Sequence, residues 1–214
     1  MQILTQTDAW VVCVKPVGCA SQGDAPSAMP AQLSAALGGE IYPVHRLDQA
    51  VGGVMIYART KAAAAALSRA IQENRLEKEY LAVLTAAPPQ PAGTLRDLLY
   101  HDRTKNKTYV VKRPRGGVKE AVLHYETLTS SAAGTLVRVR LQTGRTHQIR
   151  VQFASRGCPL AGDGKYGGRG SAPALWSFRL AFPDPLSGAR REFSCPPVGA
   201  PWSDFPASES THPL

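Results

Sequence analysis

The sequence predicts an α+β fold on a large, mainly antiparallel mixed sheet flanked by helices and loops. Three observations predict it: short apolar runs with the look of strands outnumber helical stretches, most neighbouring runs are joined by brief turns, and only two stretches carry a helical period. Taken in order, Trp10 to Lys15 is a β-rich run closed by Pro16 and Gly18, and Gly53 to Ala58 is a second run of the same kind. Lys61 to Asn74 places Ala63, Ala66, Leu67, Ala70 and Ile71 on one face and Lys61, Ser68, Arg69, Gln72 and Glu73 away from it, the pattern of an amphipathic helix. Glu79 to Leu84 reads as a strand ended by the turn-forming stretch from Pro88 to Gly93. Leu123 to Leu128 and Thr135 to Gln142, separated by Ser130, Ser131 and Gly134, read as two antiparallel strands. In the second of them Val137, Val139 and Leu141 alternate with Arg138, Arg140 and Gln142, the period of a half-buried strand. Thr146 to Ser155 fits a short helix ending near Gly157, and Trp176, Phe178, Leu180 and Phe182 mark a late strand. Ala200 to Leu214 is expected to be a loosely ordered tail. No internal repeat and no separate appended binding module is read, since strand-like sequence begins almost at the N-terminus.

The 214 residues suit one large domain or two closely joined halves. The hydrophobic fraction is 43%, and no apolar run approaches the roughly 20 residues of a membrane span. The polar first residues lack the pattern of a signal peptide, so a soluble, cytoplasmic monomer without membrane contact or protein partner is expected. Cys13, Cys19, Cys158 and Cys195 are scattered without the pairing of a zinc knuckle or a redox motif, and are read as small apolar residues. No metal and no cofactor is expected.

The net charge of +9 points to a polyanionic partner. From His101 to Lys119 the chain carries Arg103, Lys105, Lys107, Lys112, Arg113, Arg115 and Lys119 against Asp102 alone, broken by Asn106, Pro114 and Gly116-Gly117. This reads as a basic hairpin, with Lys105, Lys107, Lys112 and Arg113 as candidate phosphate contacts.

Two stretches carry chemistry. His45-Arg46-Leu47-Asp48, followed by Gly52-Gly53 and an apolar run, puts an acid in a turn, where Asp by itself is more often a turn former than a catalyst. The second stretch runs from Leu141 to Gly167 and contains Gly144-Arg145-Thr146-His147-Gln148-Ile149-Arg150. Gly144 permits a tight strand-to-helix junction, which can hold Arg145 at a fixed angle. A guanidinium there suits a carboxylate, bound through two hydrogen bonds, or equally a phosphate or a backbone carbonyl.

These residues resemble the RluA-type family of RNA pseudouridine synthases. The family's opening motif stands as Val11 to Gly18, the catalytic motif as His45 to Asp48, a third as Lys78-Glu79-Tyr80-Leu81-Ala82-Val83, and the last as the block from Leu141 to Gly167, in the family's order. The resemblance implies the pseudouridine synthase catalytic fold over residues 1–199, in two sheet halves with an active-site cleft across the middle. It implies isomerisation of a specific uridine in a structured RNA, ribosomal or transfer, without a cofactor. By resemblance Asp48 is the catalytic carboxylate, Arg145 its partner, Tyr80 the aromatic residue against the uracil and Ile149 the apolar wall. Arg46 enters the RNA stack where the base leaves, beside His45 in the substrate-binding stretch; His45 and His147 are read as structural hydrogen-bonders. After the catalytic Asp the family often shows Thr-Ser-Gly, where this chain has Val51-Gly52-Gly53.

The reaction breaks the bond from ribose C1′ to uracil N1, turns the uracil and joins C1′ to C5. Asp48 can attack C1′ or remove the C2′ proton to give a glycal, and both routes need it ionised, as a nearby arginine ensures. Tyr80 can stack on the uracil and assist removal of the C5 proton. The base must be everted at a cost of about a few kcal/mol, which phosphate contacts from the hairpin and from Arg138 or Arg140 would offset, with a steep salt dependence. Two other readings compete: an RNA-binding or RNA-folding factor without catalysis, and a metal-dependent nuclease using His45, Asp48, His147 and Asp163.

Overall fold

The computed structural model describes residues 1–205. In chain order the strands are β1 (Gln2–Gln6), β2 (Trp10–Lys15), β3 (Tyr42–Pro43), β4 (Gly52–Ala58), β5 (Glu77–Leu84), β6 (Ala92–Asp102), β7 (Lys107–Val111), β8 (Val118–Ser131), β9 (Gly134–Leu141), β10 (Leu175–Pro183) and β11 (Arg190–Ser194). The helices are α1 (Met29–Leu37), α2 (Lys61–Gln72) and α3 (Gln148–Ala154). None of them is long and apolar enough to cross a membrane. The chain divides into two units, one of residues 1–78 and 176–196, the other of residues 79–175 and 197 onward.

In the first unit the strand order is β1-β2-β4-β10, with β3 beside β4 and β11 beside β10. β2 and β4 run antiparallel along their whole lengths and are buried throughout, which is why both read as unbroken apolar runs. The parallel pairing of β4 with β10 makes the sheet mixed, with Trp176 opposite Gly52 and Ser177 opposite Gly53. α2 starts at Thr60, whose hydroxyl accepts from the Ala63 N–H at 3.1 Å, and buries Ala63, Leu67 and Ala70. Ala63 and Leu67 pack with Trp10, Val12, Val54, Ile56, Leu180 and Phe182, where the Trp10 and Phe182 rings meet edge to face at 5.3 Å. The sequence reading did not identify α1. That helix buries only Met29 and Leu33 and has no side-chain cap, so it carries little local signal beyond Pro30 in its first turn.

In the second unit the order β5-β9-β8-β6-β7 is antiparallel throughout. α3 follows β9 and buries Ile149, Val151 and Phe153. The basic stretch forms the β6–β7 hairpin, after which the chain crosses to β8 on the other side of β6. Residues 103–106 turn between β6 and β7, with Asn106 in the left-handed region at φ 44°, and residues 112–117 connect β7 to β8. β6 begins at Ala92, inside the stretch expected to turn, because pairing with β8 starts there at Ala92 opposite Glu126. Within the segment expected to be a loose tail, Trp202–Asp204 form a short 3-10 turn, and Phe205 is buried with Val83, Leu136 and Ala174. Residues 206–214 lie outside the described residues.

The double glycine after the Asp48 turn has a packing cause. A Cβ on Gly52 would lie 2.4 Å from the Trp176 ring, and one on Gly53, where φ is +121°, would lie 2.3 Å from the Ser177 carbonyl oxygen. Gly53→Ala is therefore expected to lower stability by roughly 3 kcal/mol or more, through overpacking and backbone strain together. Urea denaturation with an unchanged midpoint would contradict this.

Candidate active site

Asp48 stands in a turn of the first unit, closed by the Val51 N–H donating to the Asp48 carbonyl at 3.0 Å. The turn is held from outside itself. Lys15, at the end of β2 and fully buried, donates its ammonium to the carbonyls of Cys19 (2.7 Å), Pro16 (3.0 Å) and Gln49 (3.2 Å). The Gly18 N–H donates to the Gln49 carbonyl at 2.8 Å, and the Gln49 side-chain amide returns a bond to the Gly18 carbonyl at 2.9 Å. On the other side of Asp48, the buried Ser21 hydroxyl donates to the Leu47 carbonyl at 2.9 Å. The opening motif and the catalytic motif are thus joined by one cation, and the carboxylate is carried between two fixed neighbours. Burial lowers the Lys15 ammonium to about 8, while Cys19 and Asp48 act in the opposite direction. Lys15 figured in the sequence reading only as a motif letter; a lysine ending a buried strand before Pro was the available signal.

His45 lies under the same turn. Its Nε2 accepts from the Ile56 N–H of β4 at 3.1 Å, and its Nδ1 is buried with no hydrogen-bond partner among the described residues. Burial, with Lys78 adding to it, lowers its pKa to about 3, so the ring is neutral at neutral pH and able to accept. Arg46 is exposed.

The second unit holds the other candidates. Tyr80 is buried on β5 opposite Val139, and Ile149 is buried in α3. Arg145 is exposed, and its Nε donates to the Glu120 carbonyl at 2.8 Å. Its loop is anchored by buried Gln148, whose Oε1 accepts from the Arg145 N–H (3.0 Å) and the Thr143 hydroxyl (2.8 Å) while its amide donates to the Val122 carbonyl (3.1 Å). Lys105 is exposed at the β6–β7 turn, Lys112 and Arg113 are exposed in the connection from β7 to β8, and Lys107 is half-buried on β7.

Arg138 and Arg140, offered as phosphate contacts, stand in the β8-β9-β5 register beside carboxylates: Arg138 pairs with Glu126 at 3.3 Å, and Arg140 with buried Glu79 at 3.0 Å. Asp163, a member of the competing nuclease set, is likewise committed. Both its oxygens accept from the buried Arg150 guanidinium, at 2.7 and 2.8 Å. Thr108 and Tyr166, which the sequence reading did not single out, contact the loop after Arg145: the Thr108 hydroxyl donates to the Thr146 carbonyl at 2.8 Å, and the Tyr166 hydroxyl bonds His147 Nδ1 at 2.8 Å.

Lys15→Met is expected to cost about 3 kcal/mol, since it strips buried carbonyls of a charged donor; a denaturant midpoint equal to that of the wild type would contradict it. For His45 the folded pKa lies below its ordinary 6.5, so protonation favours the unfolded chain. Its stabilising contribution is complete above pH 6.5 and is lost as pH falls toward about 3. His45→Gln, which keeps an acceptor and cannot be protonated, is expected to lose less stability between pH 7 and pH 4 than the wild type does, as measured by urea unfolding at both.

With this geometry in place, comparison with known proteins gives a consistent result. Residues 9–155 match the family profile described as RNA pseudouridylate synthase. The chain is 35% identical over 170 residues to ribosomal large subunit pseudouridine synthase D of Vibrio cholerae and equally so to that of Escherichia coli, covering 72% of this chain and 51% of each relative. It is 33% identical over 178 residues to an uncharacterized RNA pseudouridine synthase, YhcT, of Bacillus subtilis, covering 78% and 58%. The chain therefore spans about half the length of the curated relatives it matches. Among solved structures, human RNA pseudouridylate synthase domain containing 1 and 4 superpose with TM-scores of 0.77 and 0.75 at 24% identity, covering 92% and 91% of this chain and 83% and 88% of theirs, a likeness of fold. A buried lysine pinning an aspartate turn, the ordered motifs and the match over residues 9–155 converge: the chain belongs to the RNA pseudouridylate synthase family.

Proposed function

We propose that this chain is the catalytic part of an RNA pseudouridine synthase that isomerises a uridine, with Asp48 as the reacting carboxylate and a structured RNA as substrate. The observation that carries the reading is the pair of anchors, Lys15 on Gln49 and Ser21 on Leu47, which fix the backbone on both sides of an aspartate inside the motif where the family resemblance places the catalyst. A turn-forming aspartate needs no such external anchoring. The names of the relatives, ribosomal large subunit pseudouridine synthases, favour large-subunit ribosomal RNA over transfer RNA as the substrate class.

In this reading the ionised Asp48 acts on the ribose of an everted nucleotide, by attack at C1′ or by removal of the C2′ proton. The bond from C1′ to N1 breaks and the freed uracil turns; as C1′ joins C5 the ester bond to Asp48 breaks, or in the glycal route the proton taken from C2′ returns there, and the proton leaving C5 is balanced by one gained at N1. Tyr80 serves as the surface for the uracil and Ile149 as an apolar wall, both held by burial in β5 and α3. Arg145 is assigned to the carboxylate and Arg46 to the RNA stack. Exposed Lys105, Lys112 and Arg113, with Lys107, supply cations for the phosphates.

The test is pseudouridine mapping on ribosomal and transfer RNA from cells with and without the protein. A site lost on deletion should return with the wild type and not with Asp48→Asn, whose purified rate on that RNA should fall by roughly a thousandfold or more, the scale for loss of an essential nucleophile. An Asp48→Asn protein that restores the site would end the assignment of this carboxylate.

A further inference from the structure

The loop that carries Arg145 is pinned from two directions within the second unit. Toward β8, Thr143 accepts from the Val122 N–H at 2.8 Å, and Gln148 ties Val122, Thr143 and the Arg145 amide together. Toward β7, the ties come from Thr108 and Tyr166. The Thr108 hydroxyl donates to the Thr146 carbonyl at 2.8 Å, and the Tyr166 hydroxyl accepts from the Thr108 N–H at 2.7 Å and bonds His147 Nδ1 at 2.8 Å.

The proton directions at Thr108 follow from valence. Thr108 has one hydroxyl proton, and a carbonyl can only accept, so that proton goes to Thr146. His101 Nδ1, 3.1 Å from the same oxygen, must then be the donor in that contact. The Tyr166 oxygen accepts from the Thr108 N–H, and its contact with His147 Nδ1 runs in the direction set by the tautomer of that ring. Each group thereby has a partner of the right kind, and none is redundant.

Two further observations say that the chain does more than fill space. His147 sits in the left-handed region at φ 54°, immediately before α3 and two residues after Arg145. A residue with a Cβ stays in that region where its surroundings over-determine it, and the Tyr166 hydroxyl on its ring is such a determinant. The Tyr166 ring, in turn, has the Lys107 ammonium 5.4 Å and the Arg150 guanidinium 5.1 Å from its centroid, while Lys165 donates to the Asn106 carbonyl at 3.0 Å. The contacts therefore gather the turn and first residues of the β6–β7 hairpin, Asn106, Lys107 and Thr108, onto the segment 145–147.

We propose that Thr108 and Tyr166 are positioning residues that clasp the basic β6–β7 hairpin to the loop carrying Arg145, so that the segment engaging RNA phosphates also sets the aim of that guanidinium. This rests on the reading above, in which Arg145 serves the reaction. The clasp acts through the backbone at Thr146 and the strained backbone at His147, and neither Thr108 nor Tyr166 needs to touch the substrate.

Three variants of the full chain separate the possibilities. Tyr166→Phe keeps the ring between its two cations and removes the hydroxyl; Thr108→Val keeps the shape and removes the Thr146 tie; Thr108→Ser keeps both hydrogen bonds. The measurements are single-turnover pseudouridine formation on transcribed large-subunit ribosomal RNA, the Kd for that RNA, and hydrogen exchange of residues 143–150, all below the thermal midpoint of the least stable variant. The Phe and Val variants should lose about tenfold in rate, on the scale of a small misplacement of a catalytic group, with Kd within about twofold and faster exchange over 143–150. Thr108→Ser should stay within about twofold of the wild type in all three, as retained hydrogen bonds require. Unchanged exchange would remove the clasp. Faster exchange with an unchanged rate, or a loss confined to Kd, would show that the clasp does not serve Arg145 and would leave the functional reading standing. A wild type that forms no pseudouridine on this RNA while exchange still responds would instead sink the reading of Arg145, and the positioning role with it.

Discussion

One buried ammonium sets the geometry of the candidate site. Lys15 lies wholly out of water, a position that costs a cation heavily unless acceptors replace its hydration shell. Here three backbone carbonyls do so, and they come from two places in the chain: Pro16 and Cys19 just after β2, and Gln49 just after Asp48. Because none of these acceptors can be lost cheaply, the two loops are obliged to stay together. Asp48 inherits its place from Gln49 on one side and from Leu47, held by Ser21, on the other. Its own negative charge favours the charged form of Lys15, so the anchor and the acid support each other.

The same economy of charge explains how the second unit sorts its arginines. Arg138, Arg140 and Arg150 face Glu126, Glu79 and Asp163 and are consumed in neutralising carboxylates, one of them in a pair buried on both sides. Exposed Arg103, Lys105, Lys112, Arg113, Arg115 and Lys119 lie at the turns around β7 and at the start of β8. That is where the net charge of the chain can act on a polyanion. Along β9 the cross-strand register sets Arg138 and Arg140 beside carboxylates, so the net positive charge there is smaller than the arginine count alone would give. Arg145 differs from these three in that its Nε meets a neutral carbonyl, that of Glu120.

Much of the fold was legible because its signals are local. The alternation of Val137, Val139 and Leu141 has the period of β9 itself, and the apolar face of α2 and its Thr60 cap lie within one short stretch. α1 escaped because two buried residues and no side-chain cap are too little periodicity to see, and the basic stretch showed its hairpin, β6–β7, but not that β8 returns to the other side of β6, a pairing no local pattern carries. For the site, Asp48, Tyr80, Arg145 and Ile149 were reached through ordered motifs that resemble a family, and the structure adds the surroundings of each within its own unit. The residues that hold them, Lys15, Thr108 and Tyr166, were not singled out as such.

By itself, then, the sequence determined the secondary elements with strong short-range periods, the charge surplus, the family, and which side chains are candidates for chemistry. Only the tertiary structure decided which cations are spoken for and which residues hold the candidate loops in place. The reason is physical: periodicity is written between neighbours three or four positions apart, whereas the Lys15–Gln49 contact joins residues 34 positions apart and the Thr108–Tyr166 contact joins residues 58 apart. Such a pairing exists only when strand register and loop closure bring both partners to one point, and no local pattern in the chain encodes it.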